Sequence, residues 1–132
     1  MNLEPPTQPA SVLVACLCAD WCDVCRDYQG RFLQMQAVFP HAQFVWIDVE
    51  DEAELVDPLE VENFPTLLIA VGDEPRFFGP LTPQPETLER LIRAQTQEAG
   101  ASVVAERVVA DLVARIRTQR TGPGTASLVF KP

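Results

Sequence analysis

Seven consecutive apolar residues, Val12 to Cys18 (VLVACLC), constrain the fold of this chain more than any other stretch. A strand with one wet face alternates polar and apolar residues. An unbroken apolar run is instead the pattern of a strand covered on both faces. Such a strand belongs inside a sheet with a layer packed on either side. The chain has 132 residues, 47% of them hydrophobic, which suits one soluble globular domain with a single core.

The rest of the chain supplies the layers. From Cys22 a helical pattern begins, in which Tyr28, Phe32, Met35 and Phe39 recur at helical spacing until Pro40 ends it. QFVWIDV (43–49) reads as a second buried strand, rich in β-branched and aromatic residues. The acidic stretch 50–63 leaves room for one short helix. TLLIAV (66–71) is a third strand, GDEP a turn and RFFG (76–79) a short fourth strand. PETLERLIRAQTQ (85–97) is a helix that buries Leu88, Leu91 and Ile92. Strand, helix, strand, then a hairpin and a helix predicts an α/β sandwich whose first two strands are parallel.

Residues 1–10 are Pro-rich and expected to be irregular, and 120–132 read as a flexible tail. Beyond Gly100 an apolar stripe of Val104, Val108, Leu112 and Ile116 runs beside a charged ladder of Arg107, Asp111 and Arg115. The simpler reading packs this stripe on the domain's own sheet or preceding helix. The sharper one makes residues 101–118 a dimer or partner contact.

The net charge of −9 argues against nucleic acid and against an anionic membrane surface, since both require a basic face. The apolar run from Val12 to Ala19 is too short to span a bilayer, and no basic segment precedes it. These features suggest a cytoplasmic, reducing setting. Four cysteines within ten residues (16–25) are there expected to be reactive or metal-binding rather than structural. The sequence has no phosphate loop and no dinucleotide fingerprint. No cofactor is expected, and electrons must come from another protein.

Cys22 and Cys25, in WCDVC, stand at the junction of the first strand and the first helix. A thiol at a helix N-terminus is stabilised as thiolate by unpaired N–H groups and the helix dipole. A second thiol one turn on can resolve a mixed disulfide. Cys22 is thus the expected attacker and Cys25 the buried resolver. Cys16 and Cys18 leave the same face of their strand. They read as small core residues, with Cys18 as a third redox-active thiol in the alternative. Four thiolates in a C-x-C-x3-C-x2-C array would suit zinc, but they would have to leave a strand that favours burial; no metal is expected.

WCDVC after VLVACLCAD, then WIDVED, NFPTLLIAVGD and FFGPLTPQPETLERLI, resemble the thioredoxin family in order and spacing across residues 11–97. The diagnostic pieces are Trp21-Cys22-x-x-Cys25 and Phe64-Pro65-Thr66. The resemblance implies a thioredoxin-like α/β fold, with a central mixed β-sheet flanked by helices. It divides the chain into a domain at 11–97 and an additional C-terminal helix at 98–119, with a shortened N-terminus. It implies a thiol–disulfide oxidoreductase, a protein disulfide reductase cycling Cys22 and Cys25. The resemblance implies a disulfide-containing protein as substrate and a separate reductase as electron donor. Pro65 would be cis and face the disulfide. Trp21, Asn63, Phe64 and Gly79 would join it in the substrate groove.

Departures from the family bear on mechanism. Asp23-Val24 replaces the usual Gly-Pro between the cysteines. The family's buried carboxylate falls at Cys16 and its lysine partner at Phe44, so the usual proton acceptor for the resolving thiol is missing. Gly30 stands where a kinking proline is common. Asp20, Asp23, Asp27 and Glu62 are expected around the attacking sulfur, with Arg26 the one nearby cation. Carboxylates disfavour a thiolate, which would make the dithiol a better donor; the simpler reading turns these acids to water. His41 reads as a solvated loop residue, Trp46 as core, and Asp48 and Asp57 as strand-end and turn residues. The rival function is a thioredoxin-like binding or assembly module with little turnover.

Overall fold

The computed structural model describes residues 11–57, 59, 61–97 and 104–119. The irregular segment expected at 1–10, the tail at 120–132 and the start of the added helix at 98–103 lie outside them. Among the described residues, four strands form one sheet in the order β2-β1-β3-β4: β1 (Val12–Cys18), β2 (Ala42–Asp48), β3 (Thr66–Val71) and β4 (Glu74–Pro80). β1 runs parallel to β2 and antiparallel to β3, and β3 is antiparallel to β4. The sheet is therefore mixed.

The apolar run of β1 occupies the sheet interior, and alternation along it feeds two cores. Val14, Cys16 and Cys18 face one layer with Phe44, Trp46, Leu67 and Ile69. That layer holds α1 (Asp23–Val38), through Cys25, Tyr28, Phe32 and Met35, and α3 (Pro85–Gln97), through Leu88 and Ile92. Leu13, Ala15 and Leu17 face the opposite layer with Val45, Ile47, Leu68 and Ala70. There α2 (Ala53–Val56) and α4 (Arg107–Gln119) close the second face. A fully buried Leu, Ile or Phe contributes about 2 kcal/mol, so both faces supply stability.

The apolar stripe of α4 is used within the chain. Leu112, Val113 and Ile116 are fully buried against the sheet, with Val109 beside them and Val104 and Val108 partly buried. Arg115 donates to the carbonyls of Leu55 (3.0 Å) and Asp57 (2.8 Å), while Arg117 donates to Gly72 (2.7 Å) and Ser11 (3.1 Å). Arg115 is thus spent on backbone carbonyls rather than on a surface ladder. The packing follows the simpler of the two expectations, and the stripe itself is not a free surface.

Candidate active site

The two parallel strands end side by side, with Cys18 paired in register to Asp48. The carboxyl end of parallel strands is where open α/β sheets place their sites, because the loops diverge there. A turn in which Cys22 N–H bonds Ala19 C=O (3.0 Å) carries the chain into α1. Cys22 is the N-cap of that helix, and Arg26 N–H closes the first turn on its carbonyl (3.1 Å).

Cys25, one turn on, points inward and is 1% exposed. Its sulfur is bonded to Cys18, not to Cys22. Cys22 keeps a free, half-buried thiol packed against the same core. This corrects the expected Cys22–Cys25 pairing for the state described, and it corrects the reading of Cys18 as core alone. The reason is geometric. Cys18 leaves β1 toward α1, Cys25 leaves α1 toward the sheet, and their Cα atoms stand 5.7 Å apart, within disulfide range. The Ala19 N–H donates to Cys25 Sγ (3.3 Å). With Cys18 and Cys25 joined, no four-thiolate zinc set is assembled.

Beneath the disulfide, the place of the family's carboxylate holds the buried Cys16 thiol, beside the buried Tyr28 hydroxyl. Burial pushes the Cys16 thiol well above its ordinary value. Burial, then the Cys16 charge, pushes the Tyr28 phenol up as well. Both groups stay protonated at neutral pH, so neither can accept the proton of a resolving thiol.

The four acids expected around Cys22 (Asp20, Asp23, Asp27 and Glu62) are exposed, and two of them have partners of their own. Asp23 is ion-paired with Arg26, which also donates to the Asp20 carbonyl (2.7 Å). Asp20, Asp48 and Asp51 bring carboxylate oxygens within 4.8 Å of one another. The Asp48 charge, more than burial, pushes the Asp20 carboxyl up. Burial acts upward on Asp48 too. It is outweighed by N–H donors from Asp51 (3.1 Å), Glu50 (2.9 Å) and Asp20 (2.9 Å), which hold Asp48 below the ordinary carboxylate value. Asp48 therefore fastens the loop before Cys22 to the turn after β2. Its strand-end position was readable, but its three partners come from two separate loops that no local pattern joins.

The residues expected in the groove gather at the same end of the sheet. The Phe64–Pro65 bond is cis. Pro65 is buried and directly precedes Thr66, which pairs with Leu17, one residue short of Cys18. Thr66 Oγ1 donates to Asn63 C=O (2.6 Å), and Leu81 N–H to Pro65 C=O (3.1 Å). Gly79 lies opposite Leu67 on β4. Trp21 is 61% exposed, meets Phe64 edge-on at 5.6 Å and donates its indole N–H to Glu50 (2.7 Å). Glu50 has no signal in the sequence that would assign it this role. His41 is exposed and Trp46 buried.

The thioredoxin family model matches residues 7–93. Among curated proteins the chain is similar to thioredoxin H5 of Oryza sativa subsp. japonica, 28% identical over 73 residues, covering 55% of this chain and 54% of that one. It is also 32% identical over 66 residues to thioredoxin H2-2 of the same plant, covering 50% and 49%. The chain thus spans about half the length of these relatives. Among solved structures it is similar to Fasciola hepatica thioredoxin, with TM-score 0.59, 18% identity and coverage of 66% and 83%. Oxidised mitochondrial thioredoxin 3 of Saccharomyces cerevisiae gives TM-score 0.57 and 24% identity, with coverage of 66% and 80%. At such identities these structures speak for the fold alone. The family match extends over more than half of the chain and takes in the cysteine turn, the segment around Pro65 and all four strands; the chain belongs to the thioredoxin family.

Proposed function

We propose that the protein is a thiol–disulfide oxidoreductase that reduces disulfides in protein substrates. One observation carries this reading: a free, half-buried thiol caps α1 at Cys22, and a disulfide-bonded sulfur, Cys25, lies one turn behind it. The Cys22 sulfur, as thiolate, attacks a substrate disulfide, releasing one substrate thiol. Cys25 then displaces the second substrate thiol from Cys22. The edge of Pro65 with Asn63 and Phe64 positions the substrate chain. Trp21 covers one flank, and Gly79 permits close approach. A separate reductase restores the thiols, which suits a reducing, cytoplasmic setting.

Insulin reduction with dithiothreitol tests the proposal. The wild-type chain should accelerate precipitation of the insulin B chain, and Cys22→Ser should return the rate to the uncatalysed level. Turnover that survives in Cys22→Ser would contradict the assignment of the attacker. No acceleration by the wild type would turn the reading to a binding or assembly module.

A further inference from the structure

We infer that Cys18 is a working member of the redox relay, and that the disulfide made at Cys22 is passed inward to Cys18–Cys25. The inference rests on the reductase reading above. Its basis is the arrangement of three sulfurs around one turn. Cys18 closes β1, Cys22 caps α1 and Cys25 sits on the first turn of that helix, all packed into one core. Cys25 is bonded to Cys18 although Cys22 is the nearer in sequence. Cys18 is 0% exposed and Cys25 1%, while Cys22 is half-buried and free. Only Cys22 can meet a sulfur from outside.

The chemistry closes in three exchanges. Cys22 thiolate attacks a substrate disulfide, forming a Cys22–substrate bond and releasing one substrate thiol. Cys25 attacks Cys22 Sγ, forming Cys22–Cys25 and releasing the second substrate thiol. Cys18 attacks Cys25 Sγ, forming Cys18–Cys25 and expelling Cys22 as thiolate. The substrate disulfide gains two electrons, and the Cys18–Cys25 pair loses two. The protons of those two thiols finish on the substrate thiols, and Cys22 returns unchanged. Whenever Cys25 carries charge, the Ala19 N–H and the first turn of α1 stabilise it. Cys16 takes no part: Cys25 is bonded to Cys18, and Cys16 stays a free, buried thiol.

Recharging must run the sequence backwards. A reductant cannot reach the sealed bond, so Cys22 first attacks Cys25 Sγ and brings the disulfide to the surface. Cys22 thus gates both directions, and the oxidised protein still carries a free thiol.

Differential alkylation tests this on the full chain. Arg26 is the first tryptic cleavage site, so all four cysteines share one fragment, and fragment-ion spectra assign the label at each. The chain is oxidised with excess oxidised dithiothreitol and quenched in acid. Free thiols are then labelled, and the disulfide is reduced and labelled differently. The expected result is a disulfide at Cys18 and Cys25 with Cys16 and Cys22 free. A disulfide at Cys22 and Cys25 with Cys18 free, in protein that reduces insulin, would overturn the relay and leave the reductase reading standing. A second arm follows reduction of oxidised Cys22→Ser by dithiothreitol. Its Cys18–Cys25 bond should open at least about tenfold more slowly than in the wild type, because the exchange route through Cys22 is gone. Equal rates would overturn the gating.

Discussion

At the scale of single residues, the site is organised by groups whose roles depend on which neighbours they meet. Asp48 accepts three N–H bonds from two loops. Asp48→Ala should lower unfolding stability by about 2 kcal/mol at neutral pH, measured by urea titration. Its folded carboxyl lies below the ordinary value, so its contribution is complete above about pH 4 and is lost as pH falls through the folded value. Asp20, raised beside it, has the opposite sign, but it is exposed and contributes little. The wild-type advantage over Asp48→Ala should therefore shrink at pH 3; an equal gap at both pH values would contradict this. Tyr28 Oη is buried with no hydrogen-bond partner among the described residues. Tyr28→Phe should raise stability by about 1 kcal/mol, because an unsatisfied polar group is removed without loss of volume. A loss of stability would show that the hydroxyl is partnered. The thiol at the helix cap was legible from the Cys-x-x-Cys spacing. The bond from Cys25 to Cys18 was not, because a pairing seven residues apart depends on where strand and helix face each other.

At the scale of elements, periodicity gave most of the architecture. The helix expected at 85–97 is α3 with the same bounds, opened by Pro85 and drawn to the sheet through Leu88 and Ile92. Strand four begins earlier than the RFFG run, at Glu74, because Glu74 pairs with Val71 across the tight turn. The last helix begins at Arg107, later than its stripe suggested. Residues 104–106 are not helical, and Val104 N–H is spent on Pro75 C=O of β4 (2.8 Å). A side-chain pattern could not reveal that backbone bond. Ile116 is fully buried in the face that α4 closes. Ile116→Ala should cost about 3 kcal/mol in a urea melt, the range for a large core truncation. A cost below about 1 kcal/mol would mean that α4 is only loosely docked.

At the scale of the whole molecule, one doubly covered strand decides the layout. The apolar run of β1 requires layers on both faces, and the carboxyl ends of β1 and β2 leave their loops at one edge, where the cysteines gather. That much follows from the order of elements in the sequence. The convergence of Trp21, Phe64 and Gly79 on that edge required the family resemblance, since they lie on three separate segments with no pattern linking them. The proposed function stands or falls on reversible two-electron exchange at Cys25. The most direct test is the midpoint potential of the chain in graded dithiothreitol buffers, read by fluorescence of the neighbouring Trp21. One two-electron transition at about −270 mV is expected, the range of a reducing thioredoxin. A transition nearer about −120 mV would make the protein an oxidant and overturn the direction proposed here. No reversible transition at all would contradict the proposed thiol–disulfide exchange outright.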